Sequence, residues 1–297
     1  MIDFIKYRKI YYIFSGVLIL ASVFSLFFFK LNFGIDFTGG SVMSLEFKQD
    51  RPTNLEIEKK LADLGLGEIT VQPTGEKGMI LRMKYIDEAA HSQILQKLAA
   101  DVEVMEKSFD SIGPAVGKEL TGKTYLFIIL VLVAMIFFIA LAFRKASRPI
   151  SSWQYGLVAA LVAFLHDVLI PLGVFSGLGK LYHVQVTIPI AVGLLTILGY
   201  SVHDTIVVFD RIRENILRGT GQTFDLIVNK SLNQTLIRSI NTSLTSLFVL
   251  LAIFFVGGET LKYFSLVLIL GITTGTYSSI FIASPALVTL FNRKKKK

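Results

Sequence analysis

The chain has 297 residues, 53% of them hydrophobic, with 24 Phe, no Cys and a formal net charge of +8. The apolar share is above that of ordinary soluble domains, and the lack of Cys excludes disulfides, thiolate metal sites and a Cys nucleophile. The basic surplus does not point to nucleic acid, because Lys and Arg gather at loop ends without an aromatic-interleaved face or a known reader motif.

A membrane helix needs about 20 mainly apolar residues. The first candidate is Ile10 to Phe29, behind the basic start "KYRK". Its apolar core is longer than the roughly 7–15 residues of a cleavable signal, and bulky "FFFKLNFG" offers no small-x-small cleavage site, so an uncleaved anchor is expected. Next comes "GIDFTGG", with Gly34, Asp36, Thr38, Gly39 and Gly40. Paired glycines permit positive φ, and Asp36 and Thr38 are suited to bond a turn. The expectation is a structural motif that anchors the following domain rigidly to the first helix.

From about Leu31 to Gly122 the chain is polar and patterned like a soluble domain. "SVMSLEF" alternates as a strand, and "PTNLEIEKKLADLG" reads as a helix capped by Thr53 and ended by Gly65. "EITVQP" and "GMILRMKY" are strands joined by a Gly-containing hairpin loop. "DEAAHSQILQKLAA" is a second helix, and "VEVMEKSFDSIG" is a fourth strand. The order β-α-β-β-α-β predicts a ferredoxin-like α+β domain. His91 reads as a lone surface histidine without a site.

Five more apolar spans follow: Tyr125 to Phe143, Trp153 to Phe175, Val186 to about Phe209, about Ile237 to Val256, and Tyr263 to Leu290. The expected fold class is an α-helical integral membrane protein with six transmembrane helices. Its expected parts are 1–30 (N-terminus and first helix), 31–122 (extracytoplasmic domain) and 123–297 (helices two to six). Lys and Arg in short loops set orientation. One set of loops carries Lys6, Arg8, Lys9, Arg144, Lys145, Arg148, Arg211, Arg213, Arg218, Lys230 and Arg293 to Lys297; the other carries only Lys180 and Lys262. Both termini are therefore expected in the cytoplasm and the 31–122 domain outside. The stretch Asp210 to Arg238 mixes charge with apolar residues and is expected to form helices along the membrane face, against lipid or a partner.

Ionisable groups inside membrane helices are functional candidates by default. They are His166 and Asp167 in the third span, His203 and Asp204 in the fourth, and Arg238 at the start of the fifth. Asp204 lies six residues before Asp210, about 9 Å inside the edge at 1.5 Å per residue. Arg238 begins an antiparallel span at similar depth, so an Asp204–Arg238 pair is expected. Alternation between paired and unpaired states would bind and release a proton. Structural glue between two helices and an interfacial position for Asp204 are the competing readings. Asp167 falls about 20 Å along its helix, too far out to touch Asp204. It would extend a polar path outward or cap backbone opened by Pro171. His166 and His203 each adjoin an Asp in sequence, but helix neighbours point in different directions, so neither is expected to serve that Asp. Nothing has zinc-ligand spacing, so neither metal nor cofactor is expected. Gly271 and Gly275 permit close helix approach. With Thr242, Thr245, Thr274, Ser278 and Ser279 they predict a polar seam facing the fourth helix.

Four stretches carry a family resemblance: "GIDFTGG", "SFDSIGPAVGKEL", "GYSVHDTIVVFDRIREN" and "GTYSSIFIASP". Together they resemble the SecD/SecF family of protein-export membrane proteins over residues 34 to 285. The resemblance implies a fold similar to the RND transporters, of which six helices make half a bundle, and a heterodimer with SecD. It implies work beside the SecYEG channel, after SecA has driven the preprotein in, with the proton-motive force promoting late translocation. The family's intramembrane carboxylate falls on Asp204 and its fifth-helix arginine on Arg238. The location implied is the bacterial cytoplasmic (inner) membrane, and the chain is not expected to be an enzyme. Two other readings are an RND-like proton-driven transporter half for small substrates and a passive assembly factor.

Overall fold

The computed structural model describes residues 2–100, 102–144, 151–218 and 222–295. The predicted loop cations Lys145 and Arg148, and the terminal Lys296 and Lys297, lie outside the described residues. The chain forms two compact units, one of residues 33–125 and one of residues 1–32 with 126–297.

The 33–125 unit is built on four strands: β1 (Gly40–Phe47), β2 (Thr70–Thr74), β3 (Gly78–Met83) and β4 (Val104–Ile112). They pair antiparallel in the order β2-β3-β1-β4, with Met43 opposite Leu81 on one side and Phe109 on the other. This is the split βαβ arrangement that the element order predicts. Period-2 alternation sends Met43, Leu45 and Phe47 into a core shared with Met79 and Leu81. Ile57 and Leu61 of helix α3 (Asn54–Leu61), and Ile94 and Leu98 of helix α4 (Glu88–Ala99), close that core. Thr53 and Glu56 form a reciprocal capping box at the start of α3. Gly65 ends the following turn in the left-handed conformation.

The glycine motif forms a single turn, α2 (Ile35–Thr38), in which Thr38 Oγ1 donates to the Gly34 carbonyl at 3.1 Å. Gly39 and Gly40 have φ of +73° and +135°. A Cβ on Gly39 would stand 2.7 Å from Pro114 Cα, and one on Gly40 would stand 2.9 Å from the Met83 carbonyl oxygen. Gly117 packs in turn on Gly39 and Phe37, and Thr121 Oγ1 donates to the Phe37 carbonyl. Within this unit, then, the motif is fastened to the first turns of α5 (Pro114–Ala142), the second long helix.

His91 is not on the surface. It is 8% exposed, stacked at 4.0 Å on the Phe109 ring, and held between Glu88 (Nδ1, 3.0 Å) and Glu106 (Nε2, 3.0 Å). Burial alone would lower its pKa, but the hydrogen bonds to Glu88 and Glu106 and their charges outweigh it and raise the pKa above the ordinary value.

Six helices are long and apolar enough to cross a membrane: Arg8–Phe29, Pro114–Ala142, Ser152–Tyr182, Ile188–Leu217, Phe224–Val256 and Leu261–Arg293. They comprise α1 (Arg8–Phe29), α5, α6 (Ser152–Val162) running on into α7 (Leu169–Tyr182), α8 (Ile188–Leu217), α9 (Phe224–Val256), and α10 (Glu259–Ser278) running on into α11 (Ser284–Lys295). Large apolar side chains such as Phe27, Phe138 and Phe248 point outward, as a hydrocarbon solvent allows. Inside, Phe143, Tyr155 and Phe209 stack against one another with centroids 5.1–6.2 Å apart.

Three local features shape this bundle. Helix α1 meets α7 through small residues: Ser25 Oγ donates to the Gly173 carbonyl, and Ser176 Oγ donates to the Ser25 and Lys30 carbonyls. Helices α8 and α9 run past their predicted membrane ends as one antiparallel pair, where surface-lying helices were expected. Asn215 Nδ2 donates to Ser231 Oγ and Gln234 Oε1, so the polar stretch is bonded helix to helix. The N-terminal segment lies on α9 through its backbone. Asn233 Oδ1 accepts from the Ile2 N–H, Asn229 Oδ1 accepts from the Phe4 N–H, and both amide nitrogens donate to the Ile2 carbonyl.

Two π-helical turns interrupt the spans, Ala163–Val168 between α6 and α7 and Ser279–Ala283 between α10 and α11. Each precedes a proline, Pro171 or Pro285. Proline lacks the N–H that would bond the carbonyl four residues back, and its ring crowds that carbonyl. A widened turn relieves both. Ser284 Oγ additionally donates to the Ser279 carbonyl at 2.9 Å.

A methyl added at Gly173 would sit 2.5 Å from Ser22 Cα. Gly173→Ala is expected to cost about 1–3 kcal/mol through overpacking of α1 against α7, read as a lower thermal midpoint of the purified protein. The His91 arrangement predicts a pH dependence for the sheet domain. A raised folded-state pKa means its stabilising effect is complete below the ordinary histidine value of about 6.5 and fades as pH rises through the folded value. Protease resistance of the domain measured across that range should fall with rising pH. His91→Gln should flatten the dependence.

Candidate functional site

The site is set by which faces of α8, α10 and the first π turn meet. Gly271 and Gly275 of α10 lie against Ile197 and Ser201 of α8 with no room for a larger residue; a Cβ on Gly275 would stand 3.0 Å from that of Ser201. This close approach, usual for small residues one turn apart, brings the Ser278–Ser279 step of α10 onto α8. The π turn adds Asp167 from a third helix.

Asp167 is fully buried. Its Oδ2 accepts hydrogen bonds from Ser201 Oγ and from Ser278 Oγ, the latter at 2.7 Å. Its Oδ1 lies 2.7 Å from His166 Nδ1. Asp204, 7% exposed, accepts from Ser279 Oγ. Ser278 and Ser279 adjoin in α10, and Ser201 and Asp204 are three residues apart in α8, so the two carboxylates occupy neighbouring levels of one polar seam. Continuing away from Asp204, His166 Nε2 lies 3.2 Å from Ser15 Oγ of α1, and Ser15 Oγ lies 3.5 Å from the Tyr277 hydroxyl. The Tyr277 ring stacks on His166 at 5.7 Å.

Several expectations change here. The fourth helix does not end near Asp210 but runs to Leu217, so Asp204 lies about four turns before the end of α8, while Asp167 lies about four turns after the start of α6. As expected, no contact joins the two carboxylates among the described residues. His166 does engage its neighbour Asp167. In a π turn successive side chains diverge less than in an α-helix, and both residues point inward. His203 is exposed. No ion pair joins Asp204 to Arg238 among the described residues, and Arg238 is exposed. Tyr200 Oη donates to the Thr242 carbonyl, and Asp204 and Arg238 each lie one turn further on in antiparallel α8 and α9.

Of the predicted seam, Ser278 lines the site. Thr274 Oγ1 donates to backbone of its own helix, at Leu270 and Gly271. Thr242 and Thr245 are exposed and also bond their own helix. Ser279 of the same predicted seam meets Asp204. Sequence reasoning missed Ser15, Ser201 and Tyr277 as site residues. Ser201 precedes Asp204 by nearly one turn, so one of the three carried a spacing signal. Ser15 carried none.

What the arrangement can do follows from its donors. Among the described residues no Lys or Arg touches either carboxylate, and the contacts to both are hydroxyls or the His166 ring. An uncompensated charge in such a place is costly, and proton uptake relieves it.

Comparisons with known proteins cover nearly the whole chain. The model of the family "Protein export membrane protein SecD/SecF, C-terminal" matches residues 91–293, and that of the "SecD/SecF GG Motif" matches residues 24–50. The chain is 43% identical to the protein translocase subunit SecF of Thermobaculum terrenum, over 99% of this chain and 95% of that one. It is 37% identical to the subunit of the same name from Vibrio alginolyticus, over 99% of this chain and 91% of that one. Among solved structures it is similar to SecDF, a translocon-associated membrane protein from Thermus thermophilus, with a TM-score of 0.85 and 30% identity. That match covers 98% of this chain and 39% of the other, so this chain spans about two fifths of the SecDF length.

The seam predicts unequal costs for removing hydroxyls. Ser278→Ala takes away one of two hydroxyl donors to a buried carboxylate and should cost about 1.5–3 kcal/mol when that group is ionised. Thr242→Ala, on an exposed face, should stay within about 0.5 kcal/mol. Thermal unfolding of the two variants side by side checks the ranking.

Proposed function

Because the chain belongs to the SecD/SecF family of protein-export membrane proteins, we propose that it is the proton-coupling subunit of an export motor in the bacterial cytoplasmic membrane. It works paired with a SecD-type subunit beside the SecYEG channel. SecA pushes the preprotein in, and the proton-motive force then acts through this pair to complete its release outside. The termini face the cytoplasm and the sheet domain faces out, on the distribution of loop cations. The observation that carries the reading is the pair of buried carboxylates, Asp167 and Asp204, met by serine hydroxyls from two helices and by no Lys or Arg among the described residues.

The proposed cycle has two states of Asp204. Protonated, it is a neutral acid resting on Ser279. Ionised, it attracts Arg238 of the antiparallel neighbour α9, a reading supported by the bond between Tyr200 and the Thr242 carbonyl one turn away on each helix. Exchange between these states shifts α9 against α8, and the shift is the mechanical output. Hydroxyl partners suit such a site because they donate to a carboxylate and accept from an acid.

The test is preprotein export in membrane vesicles that contain this chain, its SecD-type partner and the channel, with an imposed proton gradient. Asp204→Asn keeps the size and much of the hydrogen bonding but cannot ionise. Gradient-stimulated export is expected to fall to the rate seen without a gradient, while the complex still assembles. A full gradient response in the variant would remove Asp204 from the mechanism.

A further inference from the structure

The reading above leaves His166 without a part, although it is 2% exposed and bonded on both ring nitrogens. Counting protons in that network shows what it does. Both serines at Asp167 Oδ2 donate to it, since an ionised carboxylate only accepts. At Oδ1 the 2.7 Å contact with His166 Nδ1 requires one proton between the two atoms. The state of the other ring nitrogen is then fixed by Ser15. Its single hydroxyl proton has two acceptors within reach, His166 Nε2 at 3.2 Å and the Tyr277 hydroxyl at 3.5 Å.

Two arrangements satisfy the ring and the carboxylate. In the first, Ser15 donates to Nε2 and Nδ1–H donates to the Asp167 carboxylate, so the ring is neutral and the couple carries a charge of minus one. In the second, Ser15 donates to Tyr277 and Nε2–H donates to Ser15, while a proton still lies between Nδ1 and Oδ1. The couple then holds one proton more and is neutral overall. In the conversion a proton from the gradient enters at Nε2 and the Ser15 hydroxyl turns from the ring to Tyr277. No bond between heavy atoms forms or breaks, and release is the reverse. Asp167 from the same turn, Tyr277 from α10 and Ser15 from α1 are the groups bonded or stacked to the ring, and no Lys, Arg or Glu contacts it among the described residues.

We propose that His166 and Asp167 hold a transported proton jointly, and that Ser15 of α1 and Tyr277 of α10 register its presence. This rests on the proton-coupled reading of the carboxylate site and adds to it the group that shares the proton and the helices that sense it. Bending or shifting α1 relative to the first π turn would change the Ser15 distance and hence the grip on the proton.

The experiment is a pH titration of the full chain in lipid nanodiscs, with ¹⁵N-labelled histidine followed by NMR and carboxyl groups followed by infrared difference spectroscopy. His166→Gln assigns the signal among the four histidines. In the unsubstituted protein, a carboxyl band assigned by Asp167→Asn and the His166 ring signals should change in one step, with Tyr277 bands following. In His166→Gln the Asp167 step should move by more than about one pH unit, as for strongly interacting sites. Ser15→Ala should keep the step but lose the tyrosine change. An unmoved Asp167 step in His166→Gln would overturn the proposal. So would His166 ring signals that stay constant through that step, a result that needs no variant. The vesicle assay keeps the two readings apart. If Asp204→Asn abolishes the gradient response while His166 stays silent, the joint site falls and the export reading stands. If the gradient response survives in Asp204→Asn while His166 and Asp167 titrate together, the role of Asp204 falls and the joint site stands.

Discussion

A carboxylate buried among membrane helices must be given hydrogen-bond donors by its neighbours, because hydrocarbon supplies none. Much of the bundle's irregularity follows from that demand. Glycines at 271 and 275 let α10 settle on α8, and only then do the hydroxyls of Ser278 and Ser279 reach Asp167 and Asp204. The π turn that carries Asp167 turns His166 inward with it. A cation in this place would fix the carboxylates in their ionised form. Hydroxyls stabilise the ionised and the protonated form alike, so the site stays satisfied through a change of charge.

The two units answer different solvents. In the sheet domain, apolar side chains alternate inward from β1 and β3, and water takes the other positions. In the bundle the outer faces are apolar and the interior holds the serines, an inversion expected where helices gain little by hiding apolar surface from lipid. Ser22, Ser25, Gly173 and Ser176 between α1 and α7 are of this kind. Small size there is a requirement for backbone approach, and the hydroxyls close the gap.

Hydrophobic length made the six spans legible, and period-2 and helical patterns did the same for the four strands and two helices of the sheet domain. The buried charges were legible because few polar residues interrupt those spans. The helix ends beside them were not, since charge begins well before the helices stop: α8 and α9 remain helical through polar sequence by pairing with each other. The π turns were hidden for a different reason. A single proline four residues after Asp167 marks the first, but a proline also reads as a simple kink. His91 looked exposed because one His on a helix has no pattern; the stacked Phe109 and the carboxylate Glu106 come from a distant strand.

The clamp on the N-terminal segment bears on the order in which the protein is built. Ile2 and Phe4 are bonded by Asn229 and Asn233, more than 220 positions later in the chain. The helix they lead into rests on Ser176 and Gly173 and reaches Thr289 through Tyr12. Among the described residues, this span therefore bonds no other span until the third is made, and its beginning bonds none until the fifth. Such remote closures delay assembly, because chain entropy opposes them until late contacts form. Through most of synthesis the Ser15 position, and with it one side of the buried network, stands open. The bundle becomes a sealed compartment only with its last helices.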